Sequence, residues 1–100
     1  MFYQQGDVIL EVIEKLPIAG LKNHDGILAK GEVTGHTHRV DLADVNVLMD
    51  EDGILYCESK EEFTVIHEEH KPLTLPKGTY KIRKVLEYDH FAEESKAVCD

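Results

Sequence analysis

The sequence lacks the features that mark exported and membrane proteins. It has two cysteines, Cys57 and Cys99, which are too few for a disulfide framework. Its apolar runs, such as residues 8–10, are far shorter than the ~20 residues that cross a bilayer. The first residues have no basic patch followed by an apolar stretch, so no signal peptide is predicted. We therefore expect a cytoplasmic protein with reduced thiols and no membrane contact.

Basic residues are also scarce. The chain has 11 Lys and Arg against 20 Asp and Glu, a formal net charge of −9. This balance argues against bulk nucleic-acid binding, which needs many cations against phosphates. The exception is residues 71–86, which contain five basic residues and no acidic one. That stretch predicts either a solvated strand face or a binding site for a small anionic ligand.

No apolar stripe with helical spacing extends beyond about two turns, whereas short β-branched runs separated by turn signals recur along the chain. A chain of 100 residues fits one domain. We therefore expect a single all-β domain over residues 1–100, a small barrel or a two-sheet sandwich. At most one short helix is expected, at residues 89–95. The predicted strands are residues 7–14, 27–30, 36–40, 45–49, 54–58, 63–67, 79–88 and 96–99. Residues 50–53, an acidic loop that ends in a glycine, predict a hairpin between the fourth and fifth of these strands.

Alternating apolar residues in these strands predict the core. The core candidates are Val8, Leu10, Val12, Leu28, Val47, Leu55, Val65, Ile82, Val85 and Leu86. Because exposed edge strands can pair with a second copy, the fold also favours a homodimer.

Two histidines, His36 and His38, form the first informative motif. Residues two apart in a strand point to the same face, so both imidazoles face one way. Two nitrogens placed in this way can reach one metal ion at about 2.1 Å. Gly35, just before the pair, permits a tight turn there.

The second motif, residues 67–70, has a histidine at each end of a pair of glutamates. In an extended strand His67 and His70 would face opposite ways, so they converge only if the chain turns after Glu68. Pro72 makes a break nearby plausible. The predicted metal ligands are His36, His38, His67 and His70. Such a set suits Zn²⁺, Ni²⁺, Mn²⁺ or Fe²⁺, although a metal-free histidine network stays an open alternative.

A metal with an open position would make this site catalytic, because it lowers the pKa of bound water to about 7. Glu68 or Glu69 is then the candidate general base, and Thr34 and Thr37 can orient a substrate oxygen. The sequence thus predicts a metal-dependent hydrolase for a small anionic substrate. Two alternatives stay open, a non-catalytic module that contacts a partner protein through structural histidines and a pH-responsive histidine switch. Cys57 is expected to be a half-buried strand residue or a further ligand.

Two resemblances accompany these motifs. Residues 31–38 and 75–80 resemble fragments of the two cupin motifs, which implies a small β-barrel that holds a metal through a His-x-His pair. Residues 5–8, 31–38 (GEVTGHTH) and 67–80 (HEEHKPLTLPKGTY) resemble a group of small uncharacterised bacterial and phage proteins. The second resemblance implies a stand-alone protein of this length, in some cases phage-encoded, and no known activity.

Overall fold

Short antiparallel strands account for the regular structure of the chain. The computed structural model describes residues 1–17, 20–31 and 33–85. Within these ranges there are ten strands and no helix, which confirms the all-β prediction. The strands are β1 (Phe2–Gln5), β2 (Val8–Ile13), β3 (Lys22–Asn23), β4 (Ile27–Lys30), β5 (Thr37–Arg39), β6 (Asn46–Met49), β7 (Leu55–Ser59), β8 (Phe63–Val65), β9 (Leu73–Leu75) and β10 (Gly78–Lys84). The helix predicted at residues 89–95 and the strand predicted at residues 96–99 lie outside the described residues.

The larger layer is a six-stranded sheet with the order β1-β2-β10-β7-β6-β3. Its first hairpin turns in two residues, because Gln5 pairs with Val8 across Gly6 and Asp7. Gly6 has a φ of +60° and takes the first central position, as a type II′ turn requires. The β6–β7 hairpin predicted around residues 50–53 is also present, with Asp50 Oδ1 accepting bonds from the amides of Asp52 and Ile54, both at 2.9 Å.

The second layer consists of two hairpins, β4–β5 and β8–β9. A bridge between Arg39 and Ile66 joins them, with reciprocal backbone hydrogen bonds of 3.0 and 2.9 Å. The sheets formed by the described residues are not closed on themselves, so of the two predicted architectures the layered one fits and the barrel does not. Within the described residues no helix could cross a membrane.

The apolar core lies between the two layers. It is formed by Val8, Leu10, Leu28, Val40, Val45, Val47, Cys57, Phe63, Val65, Leu75, Tyr80 and Ile82. Two aromatic side chains that were not among the core candidates, Tyr80 and Phe63, meet edge to face with centroids 5.6 Å apart. The Tyr80 hydroxyl donates to the Pro76 carbonyl at 2.7 Å, so this buried phenol keeps a hydrogen-bond partner.

Six of the ten core candidates are buried: Val8, Leu10, Leu28, Val47, Val65 and Ile82. Val12 was a wrong prediction, because it is 42% exposed. Val12 lies near the end of β2. Alternation identifies which face of a strand points inward, but it does not show how far along the strand the opposite layer extends to cover that face. Leu55 and Val85 are only partly buried, and Leu86 lies outside the described residues.

Candidate metal centre

The loop before β5 and β5 itself place the first histidine pair. The loop is closed by backbone bonds from Gly31 N to the His36 carbonyl at 2.8 Å and from Gly35 N to the Gly31 carbonyl at 3.1 Å. His36 directly precedes β5 and His38 lies in its middle. Both side chains line one cavity of about 200 Å³, as the two-residue spacing predicts, and His38 is only 4% exposed.

The chain does turn at residues 67–70, directly after the bridge at Ile66. The Nδ1 atom of His67 accepts a hydrogen bond from the Glu69 amide at 3.0 Å. The Glu68 carboxylate accepts from the Thr37 amide at 3.0 Å and pairs with the Arg39 guanidinium at 3.2 Å. These contacts fasten the turn to β5, which brings His67 and its neighbours against the first histidine pair.

All four predicted ligands therefore converge on the same cavity. The ring of His67 is central, because its centroid lies 4.3 Å from that of His38 and 4.6 Å from that of His70. The centroid of His36 is 5.6 Å from that of His67. Two groups of three residues can each hold a metal ion, because the ligand atoms within a group all lie within 4.8 Å of one another. The first group is His38, His67 and His70, and the second is His36, His67 and Glu68.

Gln5, which sequence reasoning did not assign to the site, determines how His38 is oriented. Its side chain is 2% exposed, and its Nε2 donates to the carbonyls of Val65 at 3.0 Å and Lys71 at 2.9 Å. With the amide nitrogen so engaged, Oε1 faces His38 Nδ1 at 2.8 Å and accepts a bond from it. Nδ1 of the neutral ring therefore carries the proton, and the lone pair of Nε2 is left free.

The β1–β2 turn supplies a further wall of the cavity. Asp7 Oδ1 lies 3.4 Å from His38 Nε2, and the carboxylate is about half exposed. The ring of His70 lies directly over Gly6, since a Cβ at that position would come within 2.5 Å of His70 Nε2. The one sequence signal for this wall was the Gly-Asp turn, which marks a hairpin but not its position beside the histidines.

Burial sets the charge state of the cluster. Burial, followed by repulsion from His67, lowers the pKa of His38 to about 4 despite the opposing attraction of Asp7. Burial also lowers the pKa of His67, and repulsion from His70 lowers it further. Both rings are therefore neutral at neutral pH, the form in which imidazole binds metals.

The two candidate general bases differ in their surroundings. Glu68 is engaged by β5, and the Thr37 amide is the largest cause that lowers its pKa. Glu69 lines the cavity, with Oε1 3.8 Å from His36 Nδ1. Their roles as proton acceptors stay predictions.

Other candidates fall outside the cluster or beside it. Cys57 is fully buried in the core rather than half buried, and burial raises the pKa of its thiol to about 12. It belongs to neither group of candidate ligands. Thr34 lines the cavity, whereas the Thr37 hydroxyl accepts a bond from Arg39 at 3.1 Å.

The lowered pKa of His38 predicts acid sensitivity. An unfolded histidine takes up a proton near pH 6.5 while folded His38 does not until about pH 4, so stability falls as the pH falls through this window. For metal-free protein we expect this residue to lower the free energy of unfolding by about 2 kcal/mol between pH 7.5 and 5. Urea titrations at both pH values measure this change in the free energy of unfolding.

His38→Gln should remove this part of the pH dependence, whereas His24→Gln, outside the cluster, should retain it. The same pH dependence in both variants would refute the assignment of the effect to His38.

Fold and site together define a class, a small two-layer all-β protein with a histidine-lined cavity that can hold a metal ion. Residues 4–85 match the family described as "Domain of unknown function (DUF8820)", and the protein belongs to that family. The matched span includes all four clustered histidines and the β1–β2 turn. No curated protein and no solved structure matches the chain.

Proposed function

We propose that the cavity binds one divalent metal ion, Zn²⁺, Ni²⁺, Mn²⁺ or Fe²⁺, through His36, His38, His67 and His70, with the Asp7 carboxylate as an oxygen donor beside His38. We further propose that the metal-loaded protein is a hydrolase for a small anionic substrate. The observation that carries the metal proposal is the pair of atoms His38 Nε2 and Asp7 Oδ1, which face each other at 3.4 Å.

These two atoms are both hydrogen-bond acceptors. Gln5 accepts from Nδ1 of His38, so the neutral ring has no proton on Nε2, and a carboxylate such as that of Asp7 is an acceptor only. Two unshared electron pairs repel each other at this distance, and a cation between or beside them removes the repulsion. Imidazole and carboxylate are also the donor types that first-row divalent metals take.

Metal binding by His67 would require the loss of a hydrogen bond. His67 Nδ1 accepts from the Glu69 amide, which places the proton of the neutral ring on Nε2. Coordination through Nε2 moves that proton to Nδ1, and coordination through Nδ1 occupies the same lone pair. In both cases the hydrogen bond to Glu69 is exchanged for a metal bond, so metal binding rearranges the 67–70 turn.

Hydrolysis is supported by the size and the lining of the cavity. About 200 Å³ admits a small molecule. A bound metal would supply a water molecule with a pKa near 7. Glu69, which lines the cavity, is the proton acceptor of this proposal, while Glu68 holds the turn against β5.

The second candidate is a non-catalytic module that contacts a partner protein and uses its histidines structurally. It is favoured by a specific observation, that among the described residues every side-chain nitrogen or oxygen that is completely inaccessible to solvent has a hydrogen-bond partner. In this alternative the rings and Glu68 only fasten the 67–70 turn to β5. Phage origin, likeness to cupins, a cytoplasmic location and a homodimer stay predictions in either case.

Elemental analysis of protein purified without a histidine tag tests the metal proposal. We expect about one divalent ion per wild-type chain and none in the His36→Ala/His38→Ala double variant, because two of the ligands are lost. His24→Ala is the matched control and should retain the ion. His70→Ala, which removes an exposed ligand, covers the case in which loss of buried His38 unfolds the protein.

Equal metal content in wild type and both cluster variants, or no ion in wild type after incubation with each metal, would refute the metal proposal. Turnover of a model phosphomonoester or ester by the metal-loaded protein tests the hydrolase proposal separately. If the protein binds an ion but turns over neither substrate, the metal proposal stands and the hydrolase proposal is wrong.

A further inference from the structure

Lys84 occupies an unexpected place in β10. Along this strand Tyr80 and Ile82 are buried on the inner row, and Lys84 is the next residue of the same row. Its neighbour across the ladder is Val8, which is fully buried. An apolar residue here would extend the core, whereas the ammonium group of a lysine must keep a polar environment. Lys84 is itself exposed at this end of the strand, and it also lines the cavity of the histidine cluster.

A backbone contact keeps this end of β10 beside the site. The Val85 amide donates to the Asp7 carbonyl at 2.9 Å, which ties the strand end to the β1–β2 turn. Lys30, the last residue of β4, lines the cavity from the second layer. The two layers therefore each bring one lysine to the same small cavity.

Two arginines of this region have carboxylate partners. Arg83 pairs with Glu11 at 3.3 Å on the outer face of the sheet, and Arg39 pairs with Glu68 at 3.2 Å. Within the described residues neither Lys30 nor Lys84 forms such a pair. A chain of net charge −9 repels anions in general. The two lysines offset the carboxylates of Asp7 and Glu69 that line the same cavity, and a bound metal ion would then leave the cavity with the net positive charge that an anionic ligand needs.

We propose that Lys84, together with Lys30, binds the oxyanion group, a phosphate or a carboxylate, of the small ligand that enters the histidine cavity. This proposal rests on the proposed function in one respect, that the metal ion is the second positive group facing that ligand. The ammonium groups are point charges with rotatable donors, which suits an oxyanion bound in a shallow, solvent-accessible cavity.

Calorimetric titration with inorganic phosphate and with acetate at fixed ionic strength tests this role. The protein is zinc-loaded, freed of excess metal and compared with Lys84→Gln, Lys84→Arg and Lys30→Gln. Loss of one charge-assisted hydrogen bond predicts a phosphate Kd raised roughly tenfold or more in Lys84→Gln. Lys84→Arg should retain most of the affinity. Arg83→Gln, which removes the same charge one residue away on the outer face, should change the Kd by less than about twofold.

The outcomes separate the two proposals. Unchanged zinc content with weaker phosphate binding only in the lysine variants supports the role of Lys84 and Lys30. Equal weakening in Arg83→Gln, loss of zinc in Lys84→Gln, or no binding of either anion by wild type overturns it. If wild type binds none of the four metals the proposed function is wrong, and the same titration of metal-free protein decides the role of Lys84 alone. The relative affinity for phosphate and acetate shows which oxyanion the cavity prefers.

Discussion

Gln5→Glu should destabilise the protein by about 2–5 kcal/mol, although the two side chains are nearly identical in shape. The Gln5 amide nitrogen donates to the carbonyls of Val65 and Lys71 inside the fold. A carboxylate oxygen in its place faces two carbonyl oxygens at about the same 3.0 and 2.9 Å and has no donor to offer. Protonation of the glutamate restores at most one of the two bonds. Urea unfolding of metal-free protein at neutral pH measures the difference.

Gln4→Glu is the matched control for this change. Gln4 is the adjacent residue of β1 and donates one hydrogen bond, to the Gly6 carbonyl at 2.8 Å. Its loss is expected to cost about 1 kcal/mol or less. A second readout is the tautomer of His38, because nitrogen chemical shifts distinguish a proton on Nδ1 from one on Nε2. Similar costs for the two variants, or a wild-type His38 with its proton on Nε2, would contradict the role given to Gln5.

Gly6→Ala should weaken metal binding at least about tenfold while the fold persists, if His70 is a ligand. A Cβ at position 6 would approach His70 Nε2 to 2.5 Å, so one of the two groups must move. The exposed ring of His70 moves more easily than the backbone of the turn. The ligand is then present in the sequence but displaced from the cluster. Metal affinity from competition with a chelator measures the effect.

A left-handed backbone also disfavours alanine, and Gly53→Ala controls for that. Gly53 has a φ of +85°, and a Cβ there would meet no atom within 4 Å. Gly53→Ala should lose about 1 kcal/mol of stability for backbone reasons and Gly6→Ala, in its type II′ turn, roughly 1–3 kcal/mol, and only Gly6→Ala should lose metal affinity. The double variant Gly6→Ala/His70→Ala should bind metal no more weakly than His70→Ala alone. An equal loss of affinity in Gly53→Ala would remove His70 from the site.

The central strands could be predicted from the sequence because their apolar alternation reflects burial between two layers. β2, β8 and β10 have this pattern, and the acidic loop of the β6–β7 hairpin ends in a glycine as predicted. The short strands β1, β3 and β9 were missed. Only two to four residues long, they are fixed by pairing with strands elsewhere in the chain rather than by local pattern.

The candidate site was predictable only in part, for a similar reason. The two-residue spacing of His36 and His38 fixes their common direction locally, and residues 67–70 were expected to join them if the chain turned. Gln5 and Asp7 gave no comparable signal. Gln5 bonds to groups 33 to 66 positions away, and its role becomes apparent only when the strands are assembled.

The walls of the cavity come from Asp7, from residues between positions 29 and 38, from the 67–70 turn and from the end of β10. No fragment of the polypeptide therefore contains a complete site, and synthetic peptides of either histidine motif should be poor chelators. Coordination is instead linked to the formation of the entire tertiary structure. An ion that binds only the native state stabilises that state by a free energy that increases with the logarithm of the ion concentration. Occupancy of the cavity therefore also reports how much of the protein is folded.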